Sequence, residues 1–286
     1  MTVTQSSVDS ATSATGWQGK LQLIYNHNTR GTQVSHCQTQ APLRMQRSFY
    51  PEGPEICHST LLHTAGGIVG GDRLSLDIQL RPNSHVVLTT AAANKIYRSN
   101  GLIAQQEIQI CVEPEAILEW LPQESIVFNQ ALYRQKLRID LSPGAHWLGW
   151  DITRFGRSAR GETFIEGDWR SQTQVWQQGR PLWIDQQWLP GHPEILESPH
   201  GLAGCSVVGS FVWIGQDVTT DWVTQARALQ QGKGTLGVTR IQHGLLCRYR
   251  GHSSLEARQW FTQVWNLIRG WIGKRPACLP RVWQIF

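Results

Sequence analysis

The most informative pattern in the chain is an alternation of apolar and polar residues that recurs in several short segments. Between residues 74 and 80, leucine or isoleucine occupies every second position, with serine, aspartate and glutamine between them. The same period of two recurs at residues 107–112 and 137–141, and a proline follows each segment two residues later. This alternation predicts β-strands that each bury one face. We therefore expect a protein built mostly of short strands.

Two later segments carry a helical pattern instead. In residues 221–231, apolar side chains gather on one helical face before Gly232. In residues 254–272 an apolar stripe recurs at helical spacing, and Ser253 with Glu256 has the spacing of a capping box. These segments predict a mainly-β fold with two α-helices near the C-terminus. The pattern leaves a sandwich, a barrel and a β-solenoid open.

The chain is predicted to form a single domain. Residues 1–16 are rich in serine and threonine and lack any periodicity, so we expect a disordered tail there. The alternation begins just after Trp17, with Leu21 and Leu23. Because all-β domains often reach this size, the 286 residues fit a tail followed by one domain over residues 17–286.

Charge and cysteine usage narrow the function classes. Charged residues make up 16% of the chain and the net charge is +5, but lysine and arginine never form a run, which argues against nucleic-acid binding. No segment has the length and apolarity of a membrane span, and the N-terminus lacks the apolar core of a signal peptide. The 6 cysteines contain no C-x-x-C pair. We expect a cytoplasmic protein with reduced thiols.

The sequence carries none of the short catalytic motifs that would indicate an enzyme. The glycines of residues 66–71 match neither a dinucleotide-binding loop nor a Walker loop, and H-E-x-x-H and G-x-S-x-G are absent. The 14 tryptophans are spread along the chain, which favours packing roles for most of them. A carbohydrate-binding β module and a metal-dependent hydrolase remain as alternatives, the first suggested by the tryptophans.

One group of soft ligands stands out. Cys57, His58 and His63 lie close together in sequence, and thiol and imidazole groups suit nickel or zinc. Their spacing does not fix a metal geometry. The alternative is an ordinary strand in which Cys57 is buried and His58 is exposed, and we favour it.

Several motifs resemble those of the urease accessory protein family called UreD, or UreH in some species. The order of that family's signatures is matched by His63, the double glycine at 66–67, the G-G-D turn ending at Asp72, the threonine pair at 89–90 and the K-x-Y-R cluster at 95–98. The resemblance extends over nearly the whole chain after residue 17. Further matches are residues 41–53, the E-W-L-P-Q-E segment at 119–124, the G-R-x-A-x-G-E segment at 156–162 and the closing P-R-x-W at 280–283.

Two positions depart from the family pattern. Thr64 and Ala65 stand where many members have two prolines, and Asn94 stands where many have threonine. These differences affect the expected loop geometry and leave the assignment intact.

The resemblance implies a fold, a role and partners. Members of the family have a many-stranded β-helical fold with two helices, and they act as non-enzymatic scaffolds in urease activation. The implied partners are UreF, through it the GTPase UreG, and apo-urease, in an assembly that becomes homodimeric through UreF. No tightly bound cofactor is expected. Nickel would be a transient cargo on its way to the urease active site.

The resemblance also suggests an internal channel for nickel. A cation path needs oxygen ligands that bind weakly enough to release the ion. The carboxylates within or beside the matched motifs are our candidates for these weak, transient contacts: Asp72, Glu119, Glu124, Asp151, Glu162 and Glu166.

Overall fold

The structure, a computed structural model, describes residues 16–229, 232–273 and 275–284, so the predicted tail lies outside it except for Gly16. The strands are β1 Gln18–Asn28, β2 Gly31–Gln40, β3 Leu43–Met45, β4 Ile56–His63, β5 Arg73–Leu80, β6 His85–Thr90, β7 Asn94–Ile96, β8 Ala104–Val112, β9 Ile117–Leu121, β10 Ser125–Val127, β11 Leu132–Leu141, β12 His146–Phe155, β13 Asp168–Gln177, β14 Arg180–Pro190, β15 Val207–Ile214, β16 Thr235–Ile241 and β17 Gly244–Gly251. The α-helices are α1 Pro193–Glu197, α2 Thr220–Ala228 and α3 Ser254–Gly273. Short 3-10 helices occur at Ser158–Arg160 and Arg281–Gln284.

The strands form two facing sheets. In the first sheet β1, β5, β8, β11 and β13 are parallel neighbours, with β2 and β14 at its edges. In the second sheet β4, β6, β9 and β12 are parallel neighbours, and β15, β17 and β16 extend it with antiparallel pairs. The chain alternates between the sheets, which makes a β-solenoid of about four turns. The predicted mainly-β, solenoid-like fold is confirmed.

The register explains why the alternating sequence coils in this way. Leu21 pairs with Leu76, Leu76 with Ile108, and Ile108 with Leu137 on successive strands. All four side chains are buried. Because equivalent positions of each turn stack on one another, an apolar residue at every second position builds a continuous core between the sheets.

A second core covers the outer face of the second sheet. There α3 packs on strands β12, β15 and β17, and α2 packs on β16. Strand β4 carries six consecutive buried residues, so both of its faces are covered. The predicted exposure of His58 is therefore wrong, since alternation indicates an exposed face only where nothing packs on it.

The two predicted helices are confirmed; α2 ends at Ala228, and the last two residues of its predicted segment, 230–231, lie outside the described residues. At the start of α3 the backbone N–H of Glu256 donates to the Ser253 hydroxyl at 3.2 Å, while the Glu256 carboxylate accepts from the Gly234 N–H instead of closing a capping box. Helix α1 is too short to leave a periodic signal. None of the helices in the described ranges combines the length and apolarity needed to cross a membrane.

Most tryptophans pack in the two cores, as predicted. Only Trp17 and Trp188 are exposed, and Trp188 stacks with Arg170 and donates to Asp168. Trp222 and Trp271 lie face to face, with ring centroids 4.6 Å apart, so each covers the other.

Candidate functional site

A cavity of about 300 Å³ lies between the two sheets. Strands β5, β8, β11, β13 and β14 supply one wall, and β4, β9, β12 and β15 supply the other. Much of the lining is apolar, but it includes many polar side chains, among them a polar group formed by Gln135, Asp151, Ser171, Asp185, Gln187 and Ser210.

Strand register creates this polar group. In the first sheet Gln135 pairs with Ser171 and Ser171 with Gln187, and in the second sheet Asp151 pairs with Ser210. These positions point inward for the same reason that the stacked leucines do. One part of the cavity lining thus carries inward-facing polar side chains beside apolar ones.

Asp151 is the one predicted nickel-path residue that lines the cavity. Its carboxylate accepts hydrogen bonds from Gln135 at 2.9 Å and Thr153 at 3.2 Å. Burial raises the pKa of the Asp151 carboxyl and the nearby Asp185 carboxylate acts in the same direction, whereas the hydrogen bonds oppose the shift. Asp151 takes part in none of the ion pairs among the described residues, so its ionised form is held by neutral donors.

Asp185 also lines the cavity, opposite Thr173 in the neighbouring layer, but in a different electrostatic setting. The guanidinium of Arg248 contacts both of its oxygens, at 2.7 and 2.9 Å. Gln187 donates to the same carboxylate at 2.7 Å. The negative charge of Asp185 is therefore matched by a cation, and that of Asp151 is not.

His63 lines the cavity at the end of β4. Both of its ring nitrogens are buried and have no hydrogen-bond partner among the described residues. Burial lowers the pKa of the His63 imidazole, although the nearby Asp72 carboxylate acts in the opposite direction. A neutral imidazole with a free lone pair is a competent metal ligand.

Glu119 belongs to a buried ion-pair network outside the cavity. Its carboxylate accepts from His85 at 2.5 Å, from the Trp265 indole at 2.5 Å and from Arg269 Nε at 3.0 Å. Arg269 also donates to both oxygens of Glu52, at 2.7 and 2.9 Å. Burial alone would raise the pKa of Glu119, but the His85 hydrogen bond and the Arg269 charge lower it below its usual range.

The other four predicted residues also have partners away from the cavity. Asp72 is buried, and its two oxygens accept the backbone N–H groups of Trp17 and Val69 at 2.8 and 2.9 Å. Glu124 accepts from the Ser254 hydroxyl at 3.2 Å. The remaining two are Glu162, which accepts from Arg157 Nε at 2.8 Å, and the exposed Glu166, which accepts from Gln130 at 2.7 Å.

The soft-ligand group suggested by the sequence does not assemble. The Cys57 thiol contacts the hydroxyls of Tyr50 and Ser59, while His58 Nε2 donates to the Glu52 carboxylate at 2.7 Å. His63 lies at the cavity. In an extended strand adjacent side chains point to opposite faces, which separates Cys57 from His58.

Comparison with known proteins identifies the family. A sequence profile described as "UreD urease accessory protein" matches residues 18–284. The chain belongs to the UreD family of urease accessory proteins. A protein named urease accessory protein UreD from Acaryochloris marina is 59% identical over 272 residues, covering 94% of this chain and 96% of the relative. The protein of the same name from Nostoc punctiforme is 58% identical over 272 residues, covering 95% of this chain and 98% of the relative. That from Trichormus variabilis is 57% identical over 269 residues, covering 94% of this chain and 96% of the relative.

Residues of the UreD motifs hold parts of the fold together. The G-G-D turn ends in Asp72, whose carboxylate fastens the turn to the start of β1. In the E-W-L-P-Q-E segment, Glu119 binds α3 and the Pro122 carbonyl accepts from the Trp150 indole at 2.7 Å. Sequence reasoning missed Asp185, Arg248 and Arg269, because each acquires its partner from a strand or helix far away along the chain.

Proposed function

We propose that this UreD family member is a non-enzymatic scaffold that allows nickel insertion into urease. In this proposal it binds UreF, and through UreF the GTPase UreG, in a homodimeric assembly that docks on apo-urease. The proposal rests on the family assignment. The relatives carry the name of an accessory protein, which describes assistance to urease and names no reaction of their own.

The proposed nickel route runs through the cavity between the two sheets. The observation that carries this step is Asp151, a carboxylate that lines the cavity without a cationic partner in the described residues. A passing divalent cation would supply the missing charge. Neutral oxygen donors nearby would replace part of its hydration shell without holding it tightly. His63, whose ring nitrogens have no hydrogen-bond partner in the part of the chain that the structure describes, is a second ligand on the same wall.

The other five carboxylates first suggested as path residues are less suited to this task. Asp72, Glu119, Glu124 and Glu162 already accept hydrogen bonds that fasten one part of the fold to another, and Glu166 is exposed and accepts from Gln130. We keep Asp151 as the leading contact and regard nickel as a transient cargo without a tightly bound cofactor. All six cysteines are free thiols, which suits the proposed cytoplasmic location.

The scaffold role is tested by co-purification. The tagged protein is expressed with its UreF and apo-urease, and bound proteins are analysed after a salt wash. Retention of both partners, together with a rise in nickel-dependent urease activity, supports the role. If the folded protein retains neither partner, the scaffold proposal fails, and binding to a glycan panel then tests the carbohydrate-binding alternative.

The nickel route is tested separately by two variants that leave the outer surface unchanged. Asp151→Asn removes the charge from the cavity, and Thr173→Leu adds apolar bulk to its wall. Both should lower the rate of urease activation while the complex with the partners still forms. The matched controls are Asp217→Asn, whose side chain is 86% exposed, and Gln172→Leu, on the opposite face of β13 from Thr173.

Normal activation by both cavity variants would refute the route and leave the scaffold role standing. Loss of partner binding in either variant would instead indicate a change of fold. Circular dichroism and the unfolding midpoint of each variant separate these outcomes.

A further inference from the structure

A group of three metal-ligating side chains lies outside the cavity, where β4 meets the segment after α3. Glu52, His58 and Cys278 each offer one ligand atom, and these atoms lie within 4.8 Å of one another. The group joins residues separated by more than two hundred positions in the chain. In the described residues it is the one group of three such side chains at this spacing.

Contacts on both sides fix the position of Cys278. The backbone N–H of Ala277 donates to the Asn266 side chain at 2.8 Å, and the Trp283 indole donates to the Thr89 hydroxyl at 3.0 Å. Glu52 is held by Arg269, which donates hydrogen bonds to both of its carboxylate oxygens. The three side chains are therefore brought together by packed elements.

The donor atoms form a chemically coherent set. Thiolate, imidazole and carboxylate together favour divalent zinc, cobalt or nickel over calcium or magnesium. Ligand atoms on a tetrahedral zinc ion are about 3.4 Å apart, because each metal–ligand bond is about 2.0–2.3 Å long. The His58 Nε2 to Glu52 Oε1 distance is 2.7 Å, so a metal between them needs only a small opening.

In the metal-free protein the Nε2–H of His58 donates to the Glu52 carboxylate at 2.7 Å. The side chain is 5% exposed, yet Nδ1 has no partner among the described residues. When a metal replaces that hydrogen bond, the ring proton can move to Nδ1, and Nε2 then presents its lone pair to the metal.

The charges around the group also favour a cation. Arg269 is the cation shared by Glu52 and Glu119, which leaves one net negative charge when His58 and His85 are neutral. A divalent ion with a Cys278 thiolate would balance Glu52, and Arg269 would balance Glu119. The half-buried Cys278 leaves the group reachable from the surface.

We propose that Glu52, His58 and Cys278 bind one divalent transition-metal ion, with a fourth position open to water or to a passing ligand. Binding forms a metal–sulfur bond and releases the Cys278 thiol proton to solvent, and no oxidation state changes. The site is distinct from the cavity and from the route assigned to Asp151. It concerns the isolated protein, so its test does not depend on urease.

The test is titration of the purified full-length protein with Co²⁺ under reducing, chelator-free conditions. We expect one equivalent to give a thiolate-to-cobalt charge-transfer absorption band, which Zn²⁺ then displaces. Cys278→Ser should abolish the band. His58→Gln should weaken the affinity for Zn²⁺ by more than about tenfold, since even the loss of groups that only orient a metal ligand costs 10–100-fold.

The matched controls are His36→Gln and Cys37→Ser, which alter an exposed histidine and an exposed cysteine on β2. Both should keep the band and the affinity. A band that survives in Cys278→Ser, or no thiolate band in the folded wild-type protein, would overturn the site. Circular dichroism of each variant shows whether a lost band reflects a lost ligand or a lost fold.

Discussion

Arg269 on the C-terminal helix donates from Nε to the carboxylate of Glu119 on β9 at 3.0 Å, and both residues are almost wholly buried. The two are 150 positions apart in the chain. Together they fasten the helical layer to the solenoid. A buried ion pair of this kind is costly to break, because the surviving partner is left without a counter-charge.

Replacement of Arg269 by methionine should therefore destabilise the fold strongly. The change leaves Glu119 and Glu52 without their shared cation, and we expect the free energy of unfolding to fall by ~3–5 kcal/mol. Urea denaturation of the two proteins measures the difference. Arg81→Gln is the control, since it removes an arginine from an exposed pair with Glu113, and it should change little. If Arg269→Met and Arg81→Gln lowered the free energy of unfolding equally, burial would not be the reason that the Arg269 ion pairs stabilise the fold.

The lowered pKa of Asp168 predicts that the protein loses stability in acid. Burial alone would raise the pKa of Asp168, but the Trp188 indole and the Arg134 guanidinium lower it below its usual value of 3.8. Because the folded-state pKa is the lower one, the stabilisation is present above about pH 4 and is lost as the pH falls through the folded-state pKa. Urea midpoints measured from pH 7 down to pH 2 should show this decline. Asp168→Asn should have a shallower decline than wild type, and Asp217→Asn should follow wild type.

The raised pKa of Asp151 predicts the opposite pH dependence, a contribution to stability that is lost as the pH rises. Burial raises its pKa, so folding favours the protonated carboxyl and stability is lost as the pH rises from 3.8 through the folded-state pKa. Asp151→Asn keeps an acceptor for Gln135 and removes the charge. We expect the variant to be more stable than wild type at pH 7 by thermal unfolding. A less stable variant would indicate that the ionised carboxylate contributes to the fold.

Two substitutions of Asp72 distinguish a structural role of this carboxylate from a role in the nickel route. Asp72→Ala removes the acceptor of two backbone N–H groups, and we expect a loss of about 1–3 kcal/mol in the free energy of unfolding. Asp72→Asn has only one acceptor oxygen and should lose less. If the asparagine variant folds normally but fails in urease activation, the charge of Asp72 serves the nickel route after all.

Much of the fold was predictable because each strand carries its own signal. The alternation at residues 74–80 marks β5 without knowledge of its neighbours, and the stripe in residues 254–272 marks α3. The second core was not predictable in this way. A strand such as β4, covered on both faces, loses the alternation that would have told its buried side from its exposed side.

The site was predictable only in part. Family motifs pointed to Asp72 and Glu119, but their side chains are occupied by backbone donors and by Arg269. Asp151 carried no stronger signal than the other carboxylates. It stands apart because strand register and the facing sheet enclose it in a cavity, and neither is visible along the chain.

The sequence by itself determined the family, the strand-rich character and the two long helical segments, because these depend on local periodicity and on ordered motifs. The tertiary structure decided which charges are paired and which groups share a site. Glu52, His58 and Cys278 meet only after the solenoid has coiled and α3 has packed against it. Pairing and ligation depend on distances between side chains, and those distances are set by packing between remote elements.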